Sequence, residues 1–223
     1  MDHKQTSISF WDQFFKDYKP VKIEKEDIVV SSKLDEYLKQ IGDYAEHILD
    51  VGCGTGYALI GSKCLGTKMK SGIGFDSSHH AIHIANETVR LSNIEHLSFE
   101  VSDETFLKTM PDESFDGIIC SNFLDVIPKQ MSDDIIDDIE RVLKKDGLFL
   151  LKINFPLDEH LIKKMNMEEI EENTYQLNGV VRAYNLTTEQ WIKRFKHLQA
   201  IQIDGFKRAE HLPEDRIILF QKK

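Results

Sequence analysis

The chain has 223 residues, 41% hydrophobic and 30% charged, which is long enough for one domain with a real core and ordinary for a soluble globular protein. A formal charge of −10 argues against a phosphate backbone as the main partner. No apolar stretch approaches a membrane span, and the N-terminus MDHKQTSISFWDQFF lacks the basic-then-apolar layout of a signal peptide. The three cysteines, Cys53, Cys64 and Cys120, are odd in number and form no CxxC, which suits a reducing cytosol rather than a disulfide framework. The expectation is a cytoplasmic protein with neither DNA nor a membrane as partner.

In chain order, SISFWDQFFKDYKP (7–20) sets Phe10, Trp11, Phe14, Phe15 and Tyr18 at helical spacing. Such a helix is either a lid over a ligand or a face packed on the body of the domain or on a second copy of the chain. EHILDVG (46–52) reads as a strand ending in glycine, and YALIGSKCLG (57–66) as a helix stopped by Gly66. SGIGFD (71–76) is a second strand, and HHAIHIANETVRLSN (79–93) a helix capped by Ser77 or Ser78. LSFEVSD (97–103) and FDGIICSNFL (115–124) are strands, the latter apolar as a strand covered on both faces should be. SDDIIDDIERVLKKDG (132–147) predicts an amphipathic helix with Ser132 as N-cap and Gly147 past its end, followed by the strand LFLLKIN (148–154).

The connection 155–186 is too long for a simple loop. It carries Asn178-Gly179 between β-rich flanks, a hairpin signal. A helix capped by Thr187 or Thr188 spans 187–198, and IQIDGFKR and RIILFQKK are the last strands. Strands and helices alternate at βαβ spacing, which predicts an α/β, doubly wound, mostly parallel sheet. One domain is expected over 1–223, with 1–40 as a helical cap and 155–186 as a substrate-side insertion.

The turn ILDVGCGTGYALIG (48–61) spaces its glycines Gly52-x-Gly54-x-Gly56 between strand and helix. Glycines there let ligand atoms reach the backbone, and the helix N-terminus offers free N–H groups. The dinucleotide fingerprint GxGxxG would need a third glycine where Tyr57 stands. Asp76 ends the second strand about 20 residues on, where a carboxylate accepts from both hydroxyls of a ribose. The alternative for Asp76 is a helix-capping carboxylate ahead of Ser77 and Ser78.

With these motifs in order, the sequence resembles the class I S-adenosylmethionine-dependent methyltransferases over most of its length. The glycine loop is similar to the family's first motif, GIGFDSS to the second and FEVSDETF to the third. PDESFDGIICSNFLDVIP resembles the fourth, and RVLKKDGLFLLKIN the helix and strand that follow. The resemblance implies a seven-stranded sheet closed by an antiparallel last strand, with S-adenosylmethionine as cofactor. It implies that Gly52, Gly54 and Gly56 carry the methionine portion, with Cys53 and Tyr57 in the same loop, and that Asp50 balances its ammonium group. Asp76, followed by Ser77, would hold the ribose. Asp103 and Glu104 would meet the adenine, and Ser121 and Asn122 would face the reacting centre. Cys53 between glycines reads as a packed small residue.

The resemblance also implies the reaction class: methyl transfer to a nucleophilic O, N or S, most simply of a small molecule, with an RNA or protein acceptor as the alternative. Asp125 is the general-base candidate, and a structural acid otherwise. Trp11 and Tyr18 in the N-terminal segment, with Tyr175, Arg182 and Tyr184 in the insertion, are the candidate substrate contacts. A homodimer is compatible with the aromatic segment. His79, His80 and His83 form HHxxH without a third supporting ligand, so no metal is expected. SNFL at the fourth strand's end departs from the (D/N)PP(Y/F) of base-amine methyltransferases, which again points away from DNA. A non-catalytic nucleoside-binding scaffold would show degenerate glycines or a missing ribose acid, and an NAD-dependent oxidoreductase the third glycine.

Overall fold

The computed structural model describes residues 3–24, 28–210 and 212–223. Two helices, α1 (His3–Phe15) and α2 (Lys33–Tyr44), precede β1 (His47–Val51), α3 (Tyr57–Leu65), β2 (Ser71–Asp76), α4 (His79–Leu91) and β3 (Leu97–Val101). Then come α5 (Thr105–Thr109), β4 (Phe115–Ser121), α6 (Lys129–Val142) and β5 (Leu143–Ile153). The insertion holds α7 (Glu159–Lys164), β6 (Glu168–Glu171), β7 (Thr174–Leu177) and β8 (Val180–Tyr184), and α8 (Thr188–Lys193), β9 (Leu198–Phe206) and β10 (Asp215–Lys222) close the chain.

Seven strands form one sheet in the order β3-β2-β1-β4-β5-β10-β9. The first five are parallel, and β10 runs antiparallel between β5 and β9. The period-2 alternation of strands divides the core: Ile217 and Leu219 of β10 join the layer under α2, α3 and α4, while Ile218 and Phe220 join the layer under α5, α6 and α8. Tyr37, Leu38 and Ile41 of α2 are fully buried in the first layer, and Ile139 of α6 and Trp191 of α8 in the second. Each side chain of this size stabilises the fold by about 1.5–3 kcal/mol through its burial.

Several boundaries differ from the sequence expectation, among them the ends of β4 and α8, which stop at Ser121 and Lys193 short of residues 124 and 198. Ser132 does not cap the sixth helix. It is buried and its hydroxyl accepts from Arg194 at 2.9 Å, while the helix starts three residues earlier, after Pro128. The same helix stops at Val142, because Leu143 is extended and already pairs with Phe115 of β4. Lys144 secures the departure with an ion pair to Asp116 at 2.7 Å. In the insertion, Asn178 and Gly179 both have positive φ (54° and 80°), the geometry of a tight hairpin turn. That hairpin is joined by a third strand, β6, whose residues EEIE are all exposed. Helix α2, amphipathic and fixed at its start by a capping box between Ser32 and Asp35, lies in a region expected only as a general helical cap.

Candidate active site

In the order β3-β2-β1-β4-β5 the chain leaves β1 for β2 on one side and reaches β4 on the other, so a crevice opens at the carboxyl ends of β1 and β4. The glycine loop after β1, the turns after β2, β3 and β4, helix α1 and strand β8 enclose a cavity of about 560 Å³ there. That volume falls within the usual range for ligand sites, ~300–1,000 Å³.

Gly52, Gly54 and Gly56 all hold positive φ (67°, 51° and 79°), which only glycine adopts without strain. They differ in what they face. A Cβ on Gly52 would lie 2.4 Å from Phe123 and one on Gly56 2.7 Å from Phe99, so packing inside the protein excludes a side chain at both. A Cβ on Gly54 would meet only the tip of Phe15, at 3.5 Å. Gly52 and Gly54 line the crevice and Gly56 does not.

Asp50 sits beneath this loop at the end of β1, almost wholly buried, with Oδ2 lacking any partner. Burial pushes its carboxyl up to about 7; a hydrogen bond from the Leu59 backbone opposes the rise, and the charge of Asp76 adds to it. A buried acceptor atom without a partner, on a residue that borders a cavity, calls for a donor, and an ammonium group would supply one. Asp76 accepts from Gly54 N–H at 3.0 Å through one oxygen and from Ser78 N–H at 2.9 Å through the other. It therefore ties the glycine loop to the start of α4, where the Ser78 hydroxyl caps the helix. Burial also raises its pKa, against those hydrogen bonds. Cys53 turns its side chain toward Gly74 of β2, where a Cβ would come within 3.0 Å of its sulfur, so it packs against the sheet.

Asp103 and Glu104 lie beyond the end of β3, and both receive Lys4 of α1, at 2.8 and 2.6 Å. Lys4 and Thr105 together hold the Asp103 carboxyl down at about 2. Helix α1 is anchored a second time by Asp12, which accepts from Ser78 Oγ and the His80 backbone and pairs with the His80 ring at 2.9 Å. Among the described residues no group of three His, Cys, Asp or Glu stands together as a metal site.

At the opposite end, Asp125 is buried. Its Oδ2 accepts from both the backbone and the side-chain amide of Asn154 at 2.8 Å, while Oδ1 has no partner. Burial raises its pKa, and the Asn154 hydrogen bonds oppose the rise. Asn122, in the left-handed region with φ 54°, accepts from Lys152 at 2.9 Å, and Lys152 also pairs with the fully buried Asp215 at 2.8 Å. The Arg182 guanidinium of β8 lies against the rings of Phe10 and Trp11 of α1, at 5.0 and 5.3 Å from their centres.

Of the residues singled out in the sequence, Asp50, Gly52, Cys53, Gly54, Tyr57, Asp76, Ser77, Asp103, Glu104, Ser121 and Asn122 line this one cavity. So do Asp125, Trp11, Arg182 and Tyr184. Tyr18 and Tyr175 do not. Tyr18 is half exposed beyond the end of α1, beside Phe14 and Phe15, and Tyr175 interacts with Glu169 across the outer sheet. The sequence reading missed Lys4, Asn154, Arg208 and Arg216. Arg208 lies in the connection between β9 and β10 and Arg216 in β10, where nothing in the local pattern distinguishes a lining cation from a solvated one.

A family model described as a methyltransferase domain matches residues 43–202. The ribosomal protein L11 methyltransferase of Thermotoga petrophila is 30% identical over 135 residues, covering 60% of this chain and 46% of that protein. Among solved structures, the 1,6-didemethyltoxoflavin-N1-methyltransferase of Burkholderia thailandensis superposes with a TM-score of 0.68 at 14% identity, covering 100% of this chain and 91% of that one. The [4+2]-cyclase SpnF gives 0.68 at 14%, covering 99% and 94%. The fold and the family match together define the class: the chain belongs to the S-adenosylmethionine-dependent methyltransferases. It spans about half the length of the relatives named ribosomal protein L11 methyltransferase.

Proposed function

We propose that this chain, acting as one domain, transfers a methyl group from S-adenosylmethionine to a nucleophilic O, N or S of a small molecule in the cytoplasm. The observation that carries the reading is a single cavity that joins the carboxylates around the glycine loop to Asp125 and Asn154. In the cofactor half, Asp50 Oδ2 takes the ammonium group, the bare face of Gly54 accommodates the methionine chain, and the remaining lone pairs of Asp76 take the ribose hydroxyls. Asp103 and Glu104, held by Lys4, border the adenine. The residues present fit the cofactor on their own chemistry: an unpartnered buried acceptor, a glycine open to the crevice and a ribose acid at a strand end.

The bound cofactor supplies an electrophilic sulfonium methyl, so the protein's work is alignment and exclusion of water. Ser121 and Asn122 border the reacting centre, and Lys152 fixes the Asn122 amide. Trp11, Arg182 and Tyr184 wall the acceptor. Asp125, with Oδ2 locked by Asn154 and Oδ1 free, is the base that takes the acceptor's proton where one must leave. A protein acceptor is favoured by the names of the L11 relatives. Against it stands the enclosure of the cavity by α1 and the insertion, which leaves room for a molecule rather than a folded surface. Screening candidate small molecules and ribosomal protein L11 for S-adenosylhomocysteine release tests both: turnover on L11 alone overturns the small-molecule assignment.

A further inference from the structure

We infer that the acceptor is a small molecule with an apolar body and one oxyanion group, a carboxylate or phosphate, seated on Arg182; this rests on the methyltransferase reading above. The crevice is polarised. Its glycine-loop end carries Asp50, Asp76, Asp103 and Glu104 against Lys4 alone. Its other end reverses the sign: Arg182, Arg208 and Arg216 line it with Lys152 directly behind, against the carboxylates of Asp125 and Asp215. Four cations against two carboxylates is a local excess of positive charge inside a chain whose formal charge is −10.

Three of these cations are committed. Lys152 and Arg208 share Asp215, at 2.8 and 2.7 Å. Arg216 spends its fork on the carbonyls of Leu186 (2.6 Å) and Asn154 (2.8 Å). Arg182 differs. No carboxylate of the described residues lies within 4.0 Å of it, and its contacts are the faces of Phe10 and Trp11. It is partly buried, so its charge is short of both water and a counter-ion. A guanidinium held against aromatic rings and without a carboxylate partner keeps N–H donors for a ligand, and an oxyanion can take two of them at once. The neighbouring walls are apolar: Ile127 and Met131 from the segment after β4, and Leu157, Met165 and Met167 from the insertion. An amine acceptor such as a lysine side chain would instead bring a positive charge to an already positive end, which like-charge repulsion disfavours.

The test uses the full chain saturated with S-adenosylhomocysteine, whose own titration is run first. Failure of that titration overturns the methyltransferase reading. Its success combined with the failures below overturns this inference alone. The probes are aryl and alkyl carboxylates from acetate to naphthoate, each with its uncharged amide, phenyl phosphate with phenol, and a lysine-containing peptide, titrated calorimetrically. At least one acid or phosphate should bind roughly tenfold or more tighter than its neutral partner, the difference one charge-assisted hydrogen bond makes. Arg182→Gln should abolish the preference, and Arg182→Lys, which keeps charge without the fork, should recover part of it. Should Arg182→Gln fail to fold, the acid–amide comparison in the wild-type chain decides. The inference is overturned by equal binding of acid and neutral partner throughout the series, by a preference that survives Arg182→Gln, or by the peptide binding in place of the acids.

Discussion

Asp50 is the residue at which fold stability and the proposed cofactor contact meet. Its folded-state carboxyl titrates at about 7 against an ordinary value of 3.8, so the neutral form is favoured in the cofactor-free fold. The stability this gives is full below pH 4 and is lost as pH rises to about 7, by about 4 kcal/mol at most. Asp50→Asn should therefore melt higher than wild type at pH 8 without cofactor, with the gap closing toward pH 4. It should also weaken S-adenosylhomocysteine binding about 100-fold, as expected when a buried charge loses its partner. Parallel melting curves for the two proteins across that pH range would show that Asp50 is not strained by burial. Asp76→Ala removes the acceptor for Gly54 and Ser78 as well as the proposed acceptor for the ribose. Calorimetry should show a loss of about 2–3 kcal/mol in cofactor binding, together with a fall of about 1 kcal/mol in stability. Unchanged affinity in the folded variant would reduce Asp76 to a cap. Asp125→Asn should lower kcat by on the order of 10²–10⁴ and leave S-adenosylhomocysteine affinity intact; an unaltered kcat would make Asp125 a structural acid. These acids were legible because each ends a strand or follows one. Asn154 is equally placed, at the end of β5, but an asparagine there carries no chemical signature until its bonds to Asp125 are seen.

At the scale of elements, α1 is the piece whose role the sequence left divided between lid and packed helix. It borders the cavity through Lys4, Ser7, Ile8, Trp11, Phe14 and Phe15, and it is held at two points, Lys4 on Asp103 and Glu104 and Asp12 on the start of α4. Lys4 is about one-third exposed, so its ion pairs contribute no more than ~1 kcal/mol to stability. Lys4→Ala should accordingly change the melting temperature little while accelerating S-adenosylhomocysteine dissociation in stopped-flow, the signature of a loosened lid. A dissociation rate equal to wild type would make α1 a fixed wall. The strands of the main sheet, helices α3 and α4 and the capped start of α8 were readable from apolar periodicity and caps, whereas α8 stops at Lys193 instead of running to residue 198, where β9 already begins. The start of α6 was not, because Ser132 looks like a cap and is instead claimed by Arg194 from α8, a contact distant in sequence. Strand β6 was unreadable for a simpler reason: EEIE is fully exposed and carries no buried face to leave a pattern.

For the whole molecule, the order β3-β2-β1-β4-β5-β10-β9 brings α1, the turns after β1 to β5, the insertion and residues near β10 to one crevice, and it sorts their charges into an acidic and a basic end. The acidic end was foreseeable, since its carboxylates follow consecutive parallel strands. The basic end was not, because Arg208, in the β9–β10 connection, and Arg216, in β10, reach the site only once β10 inserts beside β5. The central claim, a cofactor half built for S-adenosylmethionine, is tested most directly by titrating the cofactor-free chain in a calorimeter with S-adenosylhomocysteine and, separately, with NAD. The account predicts S-adenosylhomocysteine binding at about micromolar Kd or tighter, ~8 kcal/mol, and no heat from NAD. Tight NAD binding with no response to S-adenosylhomocysteine would contradict it.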